Sequence, residues 1–229
     1  MSLRNPFVGH FEYTEFFQMP LLWNPRATHV LMIGLGGGST QRAYQRYHPD
    51  VNVDTAEIDP KVIQVAKQFF YVKESTNLHL QVSDGRVFLR RTTNRYDAII
   101  MDAYVSSRYG SCMPYHLATK EFFEMANEHL TEDGVLAYNV MGTLGSWRAD
   151  ILGAMYKTLK AVFPQVYLFP ATESMNVVVI ATKNPQKFTR AMLQQRAVEL
   201  AAKRRLMMPS FKTRLLVFSA EPPPTALRS

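Results

Sequence analysis

The sequence predicts an α/β domain built on a mostly parallel, seven-stranded sheet with an antiparallel hairpin at one edge, and three observations carry this expectation. Short apolar runs alternate with helical patterns along most of the chain, as strand–helix units around a parallel sheet do. The first run, Val30 to Ile33, enters Gly34, Gly36, Gly37 and Gly38 before a helical pattern starts near Ser39. The last two runs are separated only by Pro170 to Ser174, so they pair as an antiparallel hairpin on one sheet edge.

Taken in order, the strands are expected at 29–34, 51–57, 78–83, 96–102, 133–140, 165–170 and 176–182, with helices between them. The clearest helix is Pro60 to Phe70. Proline suits the first turn, Asp59 can cap it, and Val62, Val65, Ala66 and Phe69 recur at helical spacing as the stripe that packs on the sheet. Thr131-Glu132-Asp133-Gly134 reads as a turn between a helix from Leu117 to Leu130 and the fifth strand. At 229 residues and 47% hydrophobic, the chain is long enough for one well-buried domain. That domain is expected at 29–183, preceded by an N-terminal hairpin or extension over 1–28. A basic helix and a disordered tail, including Pro222-Pro223-Pro224, are expected over 184–229.

The net charge of +7 invites a nucleic-acid reading, but its distribution argues against one. From Lys183 onward there are 10 Lys and Arg against 2 Asp and Glu, while the 182 residues before it carry 16 against 17. The basicity belongs to the end of the chain, and a near-neutral body does not resemble a phosphate-tracking surface. Apolar runs are too short for a membrane span. No leader pattern opens the chain, and the single cysteine, Cys112, allows no internal disulfide, so the expected location is cytoplasmic. None of the six histidines has a partner at metal-ligand spacing, so no metal is expected, and no pairing argument marks Cys112 as a nucleophile.

The glycine turn places a backbone free of side chains at the carboxyl edge of the first strand, where open α/β sheets bind ligands. It lacks the Lys-Ser/Thr pair of a phosphate loop. Glu57 ends the second strand 19 residues beyond Gly38, the place where nucleoside binders put an acid against ribose hydroxyls. Asp84-Gly85 closes the third strand and Asp102 the fourth. An acid at a strand end also caps the following helix, so each of the three has a purely structural reading. Together they point to a nucleoside ligand.

At these residues, "VLMIGLGGGST", "AEIDPKVIQVAK", "VSDGRVFLRR" and "YDAIIMDAY", the chain resembles the spermidine and spermine synthases, and most closely their bacterial spermidine-synthase-like branch, over roughly residues 10–183. The resemblance implies the Rossmann-like fold of class I S-adenosylmethionine-dependent methyltransferases. It implies that Gly34, Gly36, Gly37 and Gly38 pass under the methionine-derived part of the cofactor, and that Glu57, with Ile58 beside it, binds the ribose. It further implies that Asp84 with Gly85 meets the adenine amino group and that Asp102 is the catalytic acid, taking a proton from the amine nucleophile. The co-substrate would be decarboxylated S-adenosylmethionine or S-adenosylmethionine itself, with no metal. The partner would be a small-molecule amine, with neither nucleic acid nor membrane, and a homodimer is allowed. Tyr13 would wall the amine channel, and Tyr104 would cover the site; both have plain packing alternatives.

The departures from the family bear on the substrate. An acid that grips the aminopropyl amine is replaced by Gly37, a second aspartate three residues past the catalytic one by Val105, and a tyrosine before the last strand by the Ala171-Thr172-Glu173 region. Glu12, Glu15 or Glu173 would have to supply replacement carboxylates. The roughly 28 residues ahead of the first strand are too few for the family's N-terminal β domain, so a more open site, or a fragment of a longer protein, is expected. Three functions follow: aminopropyl transfer from decarboxylated S-adenosylmethionine to a polyamine or related amine, methyl transfer on an unknown small acceptor, favoured by the neutral turn at Gly37, and a catalytically silent nucleoside-binding module.

Overall fold

The computed structural model describes residues 10–108, 110–203 and 210–227. Seven strands form one sheet: β1 (His29–Ile33), β2 (Asn52–Glu57), β3 (Leu78–Val82), β4 (Tyr96–Met101), β7 (Leu130–Met141), β8 (Gln165–Pro170) and β9 (Asn176–Thr182). Their order is β3-β2-β1-β4-β7-β9-β8. Every pairing is parallel except β7 with β9 and β9 with β8, so β9 alone runs against the rest. The expected edge hairpin is therefore present, with β8 outermost. Between β4 and β7 lies a small antiparallel hairpin, β5 (Val105–Ser107) with β6 (Gly110–Cys112), which was not anticipated.

Alternation along β1 shows why both faces are covered. Val30 and Met32 enter one core cluster, Leu31 and Ile33 the other, and all four are buried. The first cluster packs under α1 (Tyr13–Phe16), α2 (Pro20–Trp23), α3 (Ser39–Tyr47), α4 (Pro60–Phe69), α8 (Arg190–Ala202) and α9 (Phe211–Arg214). The second packs under α5 (Gly85–Arg91), α6 (Lys120–Glu128) and α7 (Ala149–Lys160). Among the described residues, no helix is long and apolar enough to cross a membrane.

Four expectations need correcting. Among the described residues ahead of β1, 10–28, the chain is helical over α1 and α2 and no hairpin forms; Pro20 opens α2 at a position where its missing N–H costs nothing. On α4, the Asp59 side chain does cap the helix, accepting from the Lys61 N–H at 2.8 Å, but the buried positions are Ile63 and Ala66. Of the expected stripe, Ala66 is buried and Val62 packs partly buried on the core, while Val65 and Phe69 are 43% and 58% exposed. Thr131 to Gly134 forms an irregularity inside β7: pairing with β4 passes from Tyr96–Leu130 directly to Ala98–Val135, so three extra residues bulge from β7. Finally, the chain end is packed over 210–227. Phe211, Leu215 and Phe218 are buried, Ser219 bridges to Leu168, and Thr225 donates to the Ala149 carbonyl at 2.7 Å. Residues 204–209 lie outside the described ones.

Candidate nucleoside and amine site

The chain builds β1, β2 and β3 outward in one direction and then returns to lay β4 on the other side of β1. A crevice opens at the carboxyl ends where the order reverses. Gly34 leaves β1 with φ +101°, its N–H donating to the Ala56 carbonyl, while the Asp102 N–H donates to the Ile33 carbonyl, both at 2.9 Å. A Cβ on Gly34 would lie 2.5 Å from the Asp102 carbonyl oxygen. Glycine is required there because the turn and the end of β4 touch backbone to backbone. Gly34→Ala is accordingly expected to cost roughly 2–4 kcal/mol, through the strained φ together with the clash. A urea unfolding midpoint unchanged from wild type would refute it.

The crevice holds a cavity of about 430 Å³, within the usual range for small-molecule sites. Gly34, Gly36, Gly37, Glu57, Ile58, Asp84, Gly85, Asp102, Tyr13 and Tyr104 all line it. Gly38 does not: with φ +67° it caps α3, and a Cβ there would meet the Val72 side chain at 2.3 Å. Glu15 and Glu173 also lie outside the lining. Glu15 accepts from Ser210 and Arg214, and the Glu173 side chain is exposed. Glu12 accepts from Arg214, the Thr172 hydroxyl and the backbone N–H groups of Thr172 and Glu173. Two of the three replacement carboxylates expected for an amine, Glu12 and Glu15, are thus held by an arginine from the chain end.

Each remaining acid is fixed differently. Glu57 is buried, with Oε2 accepting from the Leu35 N–H at 2.9 Å and Oε1 from the Asp59 N–H at 3.0 Å. Two acceptor positions are left for a diol. Asp84 caps α5 through Oδ1, which accepts from the Arg86 and Val87 N–H groups at 3.0 Å, while Oδ2 meets His116 Nε2 at 2.7 Å. Burial alone would raise its pKa; the His116 contact and the two amides outweigh that and lower it. The structural reading of Asp84 is therefore realised, with His116 as a contact that no sequence signal revealed.

Asp102 follows β4 and lines the cavity. Its Oδ1 accepts from Asn139 Nδ2 at 2.9 Å, and the Tyr13 hydroxyl is within hydrogen-bonding reach. Asn139, buried on β7, in turn accepts from Asn176 Nδ2 at 3.0 Å. Burial pushes the Asp102 carboxyl up to about 6, against the two hydrogen bonds that favour the ionised form. Tyr104 donates to the Asn139 carbonyl at 2.8 Å, which fixes its ring over the site. Asn139 and Asn176 were missed because an asparagine within an apolar strand has no motif; only its position beside the end of β4 gives it meaning.

A doubly covered α/β sheet with this strand order and a glycine turn after its first strand defines the methyltransferase-like class of Rossmann folds. Residues 10–191 match the spermine/spermidine synthase domain, and the chain belongs to that family. It is 32% identical over 196 residues to the polyamine aminopropyltransferase of Vibrio vulnificus, an alignment covering 84% of this chain but 62% of that relative, so the chain spans less than two thirds of its length. Among solved structures it is similar to human methyltransferase-like protein 13 in complex with SAH, with TM-score 0.75, 25% identity and coverage of 86% of this chain and 94% of that one. It also superposes on a spermidine synthase in complex with the transition-state analogue AdoDATO, with TM-score 0.71, 24% identity and coverage of 93% and 72%.

Proposed function

We propose that the chain transfers an aminopropyl group from decarboxylated S-adenosylmethionine to an amine. The observation that supports this reading best is Asp102, a carboxylate at the end of β4 with its pKa raised to about 6, lining the same cavity as the glycine turn and Glu57. The donor supplies a sulfonium whose neighbouring carbon is attacked by the amine nitrogen; the C–S bond breaks and its electron pair stays on sulfur, giving neutral methylthioadenosine. The nitrogen proton passes to Asp102. An amine titrating near 10.4 is protonated at neutral pH, and a positioned base typically contributes about 10²- to 10⁴-fold. Glu57, with Ile58 beside it, takes the ribose hydroxyls, Asp84 and Gly85 the adenine, and Tyr13 and Tyr104 enclose the amine.

Glu57→Ala is expected to weaken methylthioadenosine binding by roughly 1.5–3 kcal/mol. Calorimetric titration checks this, and an unchanged Kd removes Glu57 from the site.

One observation favours methyl transfer from S-adenosylmethionine itself. The turn carries no acid, and the start of α3 offers partial positive charge to a carboxylate. A side chain at position 37 is sterically free, since a Cβ there would meet only the Phe70 ring at 3.7 Å. Gly37→Asp should therefore strengthen binding of the decarboxylated donor and weaken S-adenosylmethionine, each by roughly tenfold. Titrating wild type with both donors separates the two readings, because they differ by one carboxylate.

A further inference from the structure

We infer that Asn176, the first residue of β9, is a positioning residue that acts through Asn139 to hold Asp102 ready to take a proton; this rests on the aminopropyl-transfer reading and deepens it. Strands β4, β7 and β9 are neighbours in the sheet. Met101 pairs with Tyr138 and Asn139 with Val178, so Asp102 comes beside Asn139, and Asn176 is the diagonal neighbour of Asn139 on the same face. The three side chains form one line across the strands. Asn176 Nδ2 donates to Asn139 Oδ1 at 3.0 Å, and Asn139 Nδ2 donates to Asp102 Oδ1 at 2.9 Å.

An amide can present either end, and an ionised carboxylate only accepts, so Asp102 needs the NH2 end of Asn139. Turning that amide over would set Oδ1 against the carboxylate and Nδ2 against the Nδ2 of Asn176, at a residue only 1% exposed, where water cannot repair the contacts. With Asp102 ionised, the observed orientation is the one that pairs both ends of Asn139, and it needs Asn176 as donor. The Asn139 carbonyl is held separately by Tyr104, so Asn176 acts on the side-chain amide. Two hydroxyls face the carboxyl, Tyr13 from α1 and Tyr104 just past β4; burial and the neighbouring carboxylate raise both above the ordinary tyrosine range, so both stay neutral while Asp102 changes charge. Arg148, ahead of α7, acts on Tyr104, and Glu57, Asp84, His10 and His116 line the same cavity. All of these groups are common to wild type and an Asn176 variant, so a displaced pH profile reports the asparagine.

The test follows kcat/KM for methylthioadenosine release from decarboxylated S-adenosylmethionine and putrescine between about pH 5 and 9 in wild type, Asn176→Leu and Asn176→Gln. Asn176→Leu keeps the volume and removes the donor. Its acid limb should move up by roughly 0.5–1 pH unit, leaving it about three- to tenfold below wild type at pH 5 and level near pH 9, with the Kd for methylthioadenosine unchanged within about twofold. Asn176→Gln, which keeps an amide, should return the limb toward wild type. Asn176→Ala should shift the limb in the same direction and serves if the leucine variant fails to fold. An unmoved limb, or a loss equal at every pH, overturns the inference and leaves Asn176 a structural residue. Carboxyl 13C titration of Asp102, its resonance identified by its loss in Asp102→Asn, reads the same displacement without turnover. No release with any amine, while that resonance still titrates higher in Asn176→Leu, overturns aminopropyl transfer and upholds the positioning; an unmoved resonance in an active enzyme overturns the positioning alone.

Discussion

Asp102→Asn is expected to cut turnover by 10²-fold or more while raising the melting temperature above pH 7. The first effect follows from loss of the base; cofactor affinity should stay within a few fold, because Glu57 and the turn are untouched. In the wild type, turnover should fall about tenfold per pH unit below about 6, as the carboxyl takes its proton. The second effect follows from linkage. The folded-state pKa lies above the ordinary carboxylate value near 3.9, so between about pH 4 and 6 the folded protein binds the extra proton and stability falls as pH rises. An ionised Asp102 therefore destabilises the neutral-pH fold by roughly 1–3 kcal/mol, which asparagine relieves while still accepting from Asn139. For a domain of this size the gain is several degrees, vanishing near pH 4. Thermal melts at pH 4 and 8 alongside steady-state rates measure both. A variant that keeps its activity would exclude Asp102 as the base, and one that melts lower at pH 8 would mark the residue as structural.

Arg214→Ala is expected to destabilise the fold by roughly 2–4 kcal/mol, lowering the melting temperature by about 5–15 °C. The arginine bridges Glu12 at 2.7 Å and Glu15, and the Glu12 side chain is almost wholly buried. Removing the guanidinium leaves that carboxylate without its counterion, and its remaining donors from Thr172 and Glu173 cannot compensate a full charge. Because Tyr13 lies between the two glutamates, amine KM should rise more than donor Kd. Arg214→Lys should recover part of the stability, since one ammonium cannot serve both acids in the fork that guanidinium provides. A wild-type melting curve for Arg214→Ala would remove the clamp from the account.

The sheet was legible because each strand is a buried apolar run with a defined stop, and the crevice because glycines and acids recur at those stops. Asp84 and Glu57 were placed correctly at the rim, yet their local partners, His116 and the Leu35 and Asp59 amides, follow from loop geometry that spacing does not encode. Glu15 and Glu173 lie outside the cavity lining, and for Glu15 nothing in the local sequence announces the cation that reaches it from the far end of the chain. The end itself looked disordered because of its prolines and basic charge; it is held by Phe211, Leu215 and Phe218, three apolar residues too scattered to form a pattern. The bulge in β7 was taken for a turn because Asp133-Gly134 carries the same local chemistry in both.

The clamp also sets an order of events during synthesis. Arg214 is 202 positions beyond Glu12, and at about 5–20 residues per second a ribosome needs on the order of 10–40 s to make the intervening chain. Throughout that interval the nascent sheet can zip together from β1 to β4, while the segment bearing Tyr13 still lacks its anchoring cation. The segment from Glu12 to Glu15 is thus among the last parts to gain its partner, after the chain for β1 to β4 has been made.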